Sequence, residues 1–236
     1  MPPTSSNLQI GGLTPLTSTD YPGCLAAVVF CQGCPWRCGY CHNPHLIPRS
    51  GESALNWPGV MDFLRRRRGL LDAVVFSGGE PTLQDELPAA IEEASSLGFK
   101  IGLHTGGTYP ARLGAVLPLL SWVGMDIKAE FADYDRVTGT PASGEKARAS
   151  AQMLLDSGVA HEFRTTVHPL FHTRESLLRL AEELRGMDAR HYVLQEFRPQ
   201  GCADEAVAAY PAQELLDDAL CDRIGAMFDT FSVRRA

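Results

Sequence analysis

The 236-residue chain has no apolar run approaching the ~20 residues that a membrane-spanning helix needs. It carries no charged side chain before Asp20, hence no basic leader region, and this predicts that no secretory signal is present. Positive charge is not in excess: 21 Lys and Arg stand against 28 Asp and Glu, a formal net charge of -7. That balance argues against a general nucleic-acid partner. There is no internal repeat, no low-complexity tract and no linker that would separate a second domain. A hydrophobic content of 44% suffices for one sizeable core, so one domain is expected over residues 1–236.

What is present is concentrated. The one basic block, residues 65–68, is expected at the C-terminal end of a helix, where cations suit the dipole. Seven cysteines without an export signal predict a reducing cytoplasm. Four of them crowd into residues 31–41, too close together for a disulfide framework. Cys34, Cys38 and Cys41 follow C-x3-C-x2-C spacing. Three thiolates so spaced can hold three irons of a 4Fe–4S cluster and leave the fourth open for chemistry. A zinc ribbon is the first alternative, but its two C-x2-C pairs normally flank a longer segment. The ferredoxin run orders its spacers differently. Plain structural thiols are the remaining possibility.

Short apolar runs alternate with helical periodicity along the chain. Buried strands are expected over 25–30, 72–76, 100–104, 122–127, 161–167 and 192–197, with a terminal strand over 231–235. Helices are expected from the Asn56 cap and Pro58 to about Arg67, stopped by Gly69, and then over 85–97, 110–119 and 144–157. Two more follow over 173–186, capped by Thr173 with Glu175 and Glu182 on its polar side, and over 213–228. Six strand–helix units imply an α/β fold with a parallel sheet, curved into an open, partial (β/α)6 TIM-like barrel. Loops after strand C-termini build the site in such folds. The cysteine loop, residues 77–82, 105–108, 126–128 and 195–198 all fall there.

The residues resemble a known family. The cysteine loop with Tyr40, followed by Gly78-Gly-Glu-Pro81, resembles the radical S-adenosylmethionine (SAM) superfamily. Asp20-Tyr-Pro-Gly23, Gln32-Gly-Cys34, Cys41-His-Asn-Pro44 and Phe76-Ser-Gly-Gly-Glu-Pro-Thr-Leu-Gln84 resemble activating proteins of the anaerobic ribonucleoside-triphosphate reductase. Asp126-Ile-Lys128, Phe163-Arg-Thr-Thr166 and Leu194-Gln-Glu-Phe-Arg-Pro199 extend the match over most of the chain. The resemblance implies a radical SAM core, one 4Fe–4S cluster, and cleavage of SAM to methionine and a 5′-deoxyadenosyl radical. It implies a glycyl-radical enzyme as partner, with a reduced flavodoxin or ferredoxin as electron donor.

Residue by residue, Gly78 and Gly79 permit close backbone approach to a ligand, and Glu80 offers an anion to the SAM ammonium. An ordinary turn is the plainer reading of the glycines. By resemblance, the neighbourhood of Tyr40 packs near adenine; its plainer role is a core aromatic. Asp126 and Lys128 stand two apart at a strand end and point the same way. By resemblance they contact SAM near its ribose and carboxylate; a structural ion pair is the alternative. Arg164 can fork onto a carboxylate, and Thr105 and Gln195 are expected as further SAM contacts, Gln195 by hydrogen bonding to adenine or ribose. His104 stands where related activases often carry an aspartate, and a satisfied structural histidine is expected. Cys24 and Cys31 are additions to the pattern. Cys31 is either a buried thiol or a competitor for the cluster. Cys202 and Cys221 are isolated and expected to pack as small hydrophobes; with no extra clustered motif, one cluster is implied.

Three functions follow, in two classes. The leading one is an activase that abstracts a hydrogen from a backbone glycine of a partner protein. The second is a radical SAM enzyme acting on a small molecule. The third is an iron–sulfur electron-transfer protein or a structural metal module, which leaves Gly78, Gly79, Glu80, Asp126 and Lys128 without a purpose.

Overall fold

The computed structural model describes residues 5–51, 55–210 and 215–235. The chain runs β1 (Ile10–Thr17), β2 (Ala26–Cys31), α1 (Trp57–Arg67), β3 (Ala73–Gly78), α2 (Leu87–Ser96), β4 (Lys100–Thr105) and α3 (Pro110–Val116). It continues with β5 (Trp122–Asp126), α4 (Tyr134–Thr138), α5 (Ser143–Ser157), β6 (His161–Val167) and α6 (Arg174–Gly186). The last elements are β7 (His191–Glu196), α7 (Glu205–Ala208), α8 (Asp218–Gly225) and β8 (Thr230–Arg234). The sheet keeps chain order from β1 to β8. Every neighbouring pair from β2 onward is parallel, and only β1 is antiparallel. The expected α/β parallel sheet is therefore found, left open between β1 and β8.

Side-chain alternation sorts the strands onto two faces. Ala27, Val29, Cys31, Val74 and Phe76 pack into the main core with helix residues such as Leu64 and Ile91. Ala26, Val28, Ala73 and Val75 join Tyr21, Cys24 and Trp122 in a smaller cluster on the other face. At the strand C-terminal ends, Asp126 and Arg164 alternate with the main-core residues Met125 and Phe163 and so lie on that second face.

Local signals hold well. The Asn56 side chain accepts the Gly59 N–H, and Arg65, Arg66 and Arg67 close the last turn of α1. Gly69 follows with φ 76°. Thr173 and Ser176 cap α6 reciprocally. Two expectations change. α3 stops at Val116 and a 3-10 turn takes over at Leu117–Leu119, because Pro118 lacks the N–H that an α-helix needs. Of the helix expected over 213–228, the described residues form Asp218–Gly225, its start fixed by the Asp217 carboxylate accepting the Leu220 N–H; Gln213 and Glu214 lie outside the described residues. β1, α4 and α7 carry no clear sequence signal. β1 holds Gly11, Gly12 and Pro15 and breaks register twice, features that an edge strand tolerates and a sequence pattern hides. Among the described residues no helix is long and apolar enough to cross a membrane.

Candidate functional site

The cysteine loop leaves β2 and is bound from three sides. The Gly33 and Cys34 N–H groups donate to Leu46 and Ile47 carbonyls, at 2.7 and 3.0 Å. The Gln32 amide donates to the carbonyls of His45 and Pro48 at 3.0 and 2.8 Å. The Arg37 and Gly39 N–H groups reach the Thr138 and Val137 carbonyls at the end of α4, at 2.8 and 3.2 Å. Trp36 meets Tyr134 of α4 edge-on at 5.6 Å.

Gly78 and Gly79 serve this loop. Gly78 has φ 111°, and a Cβ there would stand 2.5 Å from the Cys31 nitrogen. One on Gly79 would stand 2.3 Å from the Gly33 oxygen. The glycines thus admit the backbone of the cysteine loop, which the expectation of close ligand approach did not include. Gly79 and Glu80 N–H groups donate to Cys31 and Gly33 carbonyls at 2.9 and 2.8 Å.

A cavity of about 190 Å³ lies where these loops meet. Cys34, Cys38 and Cys41 all line it, as do Tyr40, Gly78, Gly79, Glu80, Thr105, Asp126, Lys128 and Arg164. Cys31 does not; it is fully buried in the main core, because β2 alternation turns it to the helix face. Cys24 is buried in the smaller cluster, and Cys202 and Cys221 are partly buried against the main core. Burial and the Glu80 carboxylate push the Cys34 thiol up to about 12. Burial also raises Cys38. A metal must therefore displace protons from them on binding.

Glu80 is 1% exposed. Its Oε1 accepts the Thr82 and Thr105 hydroxyls at 2.6 and 2.8 Å and the Thr82 N–H at 3.2 Å. Its Oε2 accepts the Gly106 N–H at 2.9 Å. Burial raises this carboxyl above its ordinary value, although those donors pull the other way. Thr105 also takes the Gly107 N–H at 2.9 Å, so its hydroxyl orients Glu80.

Asp126 is held by charge. Arg164 reaches its Oδ1 with Nε and Nη2, both at 2.9 Å, and Lys128 Nζ stands 3.6 Å from Oδ2. Burial pushes the carboxyl up, but Arg164 and then Lys128 outweigh it and leave the group below its usual value. The carboxylate that Arg164 forks onto is thus the protein's own. Lys128 Nζ lies 5.8 Å from the centre of the Tyr40 ring.

His104 is satisfied. Its Nε2 donates to the Asp20 carbonyl at 2.8 Å, its Nδ1 faces the Ser77 hydroxyl at 3.5 Å, and burial lowers it to about 3. Gln195 lies apart from the thiols. It lines a neighbouring cavity of about 690 Å³ that shares His42, His104, Asp126, Arg164 and Thr166 with the first.

The sequence matches the model of the radical SAM superfamily over residues 28–184. The chain belongs to the radical SAM superfamily. A Methanocaldococcus jannaschii protein, provisionally named a glycyl-radical enzyme activating enzyme, is 30% identical over 86% of this chain and 85% of its own length. The pyruvate formate-lyase-activating enzyme of Streptococcus mutans is 30% identical over 71% of this chain and 68% of its own. A radical SAM methyltransferase from Sphaerobacter thermophilus shares the fold with a TM-score of 0.68 at 18% identity, over 94% of this chain and 68% of the other. SuiB from Streptococcus suis, solved with SAM, gives 0.66 at 12% identity over 87% of this chain; the match spans 48% of SuiB.

The cofactors of a radical SAM protein are a 4Fe–4S cluster and SAM, and the donor set fits them. Three thiols line one cavity, which supplies the three thiolates that hold three irons of such a cluster and leave the fourth open. Glu80 Oε2 accepts from the Gly106 N–H, and a carboxylate oxygen can take a second donor.

Sequence reasoning missed several residues that build this site. Tyr134 donates to the Asp126 carbonyl at 3.2 Å and accepts the Lys128 N–H at 3.0 Å. Gln84 donates to the carbonyls of Gln9 and Gln32 at 2.8 and 3.0 Å. His172, in the turn after β6, meets the Lys128 carbonyl at 2.9 Å, and the His168 backbone N–H supports it by donating to its Nδ1 at 3.1 Å. The one available signal was a pair of histidines four apart just past a strand end.

Proposed function

We propose that this radical SAM protein is a glycyl-radical enzyme activase, with the anaerobic ribonucleoside-triphosphate reductase as partner. A reduced flavodoxin or ferredoxin serves as electron donor, in the cytoplasm. The observation that carries the reading is one cavity lined by three thiols, Glu80, Asp126 and Lys128 that shares a wall with a wider one. The similarity to two activases, each over two thirds of the chain or more, favours a protein partner.

In this reading Cys34, Cys38 and Cys41 hold the cluster as thiolates. Glu80 takes the SAM ammonium at Oε2, and Thr105 keeps that carboxylate turned towards the cavity. Lys128 faces the SAM carboxylate, Asp126 the ribose, and Tyr40 the adenine side. Arg164 keeps Asp126 ionised and in place. When bound, the cluster and SAM together supply a carbon radical able to abstract hydrogen. The wider cavity, with Gln195 on its wall, admits the glycine loop of the partner. Closeness of the two cavities is what such a transfer requires, because the acceptor hydrogen must lie next to the SAM sugar.

The test combines the reconstituted chain, SAM and the candidate partner without oxygen. Electron paramagnetic resonance should show a glycyl radical on the partner, and α-deuterated glycine there should deliver deuterium to 5′-deoxyadenosine. Deuterium arriving only from a labelled small metabolite would move the function to a small-molecule substrate. No SAM cleavage at all would leave an electron carrier.

A further inference from the structure

Lys128 stands beyond the last residue of β5. Sheet-like contact ends one residue earlier, where the Ile127 N–H donates to the Arg164 carbonyl at 2.8 Å and the Ile127 carbonyl accepts the Thr165 hydroxyl at 2.6 Å. Two side chains then take over the Lys128 backbone. Its N–H donates to Tyr134 Oη at 3.0 Å, and its carbonyl lies 2.9 Å from His172 Nε2.

A carbonyl only accepts, so His172 Nε2 carries the proton. His172 Nδ1 faces both the His168 backbone N–H, at 3.1 Å, and the His168 carbonyl, at 3.2 Å. A neutral ring holds one proton, and Nε2, whose partner can only accept, takes it while Nδ1 accepts the N–H. The residue is 3% exposed, and burial lowers its pKa to about 4. The turn that carries it, residues 168–172, is itself anchored. The His168 ring donates from Nε2 to the Val207 carbonyl at 2.9 Å and accepts the Leu170 N–H at 3.1 Å. The Arg136 guanidinium donates to the carbonyls of Leu170 and Phe171.

The same turn touches the cysteine loop. Phe171 meets the Tyr40 ring edge-on at 5.5 Å. A Cβ on Gly39 would lie 2.4 Å from the Phe171 ring, so glycine is what lets the two segments close. Tyr40 is also the ring that faces the Lys128 ammonium.

We infer that His172 is a positioning residue: its Nε2–H holds the Lys128 carbonyl and so sets where the Lys128 ammonium stands between Tyr40 and Asp126. The inference rests on the reading of Lys128 as a SAM contact only for its effect on SAM, because the placement of Lys128 can be read without any cofactor. A histidine that merely filled the turn would leave Lys128 where it is.

The test compares His172→Phe, which keeps a ring and loses the donor, with His172→Gln, whose amide nitrogen can donate from a similar place. On the unloaded protein, Lys128 is labelled by reductive methylation and scored by mass spectrometry, with exposed Lys146 as internal reference. The Lys128 side chain is 14% exposed. Its labelling should rise severalfold in His172→Phe and return close to wild type in His172→Gln. On reconstituted protein the SAM dissociation constant should rise about fivefold in His172→Phe, the equivalent of one hydrogen bond, and recover in His172→Gln. Wild-type labelling in a folded His172→Phe protein, or equal change in both variants, overturns the inference. If His172→Phe does not fold, His172→Asn, whose shorter side chain cannot reach the carbonyl, takes its place against His172→Gln. A labelling change with SAM affinity untouched upholds His172 and instead removes Lys128 from SAM binding.

Discussion

The ends of β3 and β5 each present a carboxylate to the same cavity, Glu80 fully buried and Asp126 half-buried, and the two are held in opposite ways. Glu80 accepts only neutral donors, from Thr82, Thr105 and Gly106. Asp126 is gripped by two cations, Arg164 and Lys128. Burial consequently wins at Glu80, whose carboxyl is raised, and loses at Asp126, whose carboxyl is lowered. One wall lacks positive charge and the other has a cation to spare. A zwitterionic amino-acid end, ammonium to Glu80 and carboxylate to Lys128, complements both walls at once. Hydrogen bonds to neutral donors hold an anion ready for a cationic ligand, whereas ion pairing spends that capacity inside the protein.

Cutting what both walls share should have the largest effect. Alanine at Cys34, Cys38 or Cys41 should abolish cluster iron and SAM cleavage, while Cys31→Ala, altered in the core, should keep both; iron assay and product analysis decide. Arg164→Met leaves Asp126, whose side chain is 36% exposed, one cation short. About 1.5–3 kcal/mol of stability, the range for hydrogen bonds to a charged group that water still screens, should be lost in urea unfolding, and Asp126→Asn on top should restore much of it. Additive losses instead would show that the pair does not act as one unit.

Glu80→Gln sharpens the contrast. It removes the anion, and SAM affinity should fall ten- to a hundredfold, about 1.5–3 kcal/mol. Its amide NH2 must also face either the Gly106 or the Thr82 N–H, so stability should fall by about 1–3 kcal/mol. An unchanged dissociation constant would place the SAM ammonium elsewhere.

The smallest effect is in pH, and its sign differs between the walls. Glu80 is raised, so it binds protons more tightly folded than unfolded. Its contribution is fully present below the ordinary carboxylate value and is lost as pH rises through the raised one. Asp126 is lowered, so its contribution is present above the ordinary value and is lost as pH falls through the lowered one. Unfolding free energies of Glu80→Gln and Asp126→Asn, each referred to wild type, should drift in opposite directions with pH. Parallel drift would erase the difference between the two sites.

Much of this is legible in the amino-acid order. Strand positions, the Asn56 and Thr173 caps and the three lining cysteines follow from patterns a few residues long. The same holds for Asp126 and Lys128, which share a direction because strand side chains alternate. Even the exclusion of Cys31 is a matter of alternation along β2. The pattern fails where local rules are suspended: at the glycine- and proline-bearing edge strand β1, and at the end of the chain, where Asp217 starts α8 later than apolar spacing suggests.

By itself, then, the sequence determined which residues reach the strand ends, because propensity, capping and alternation act over one or two turns of chain. Only the tertiary structure decided what those residues do to one another. Thr105 turns to Glu80 across 25 positions, Arg164 to Asp126 across 38 and His172 to Lys128 across 44. Gln195 was carried to the wider cavity instead of the thiol-lined one. Such pairings depend on which loops the parallel sheet brings side by side, and no short-range rule encodes that.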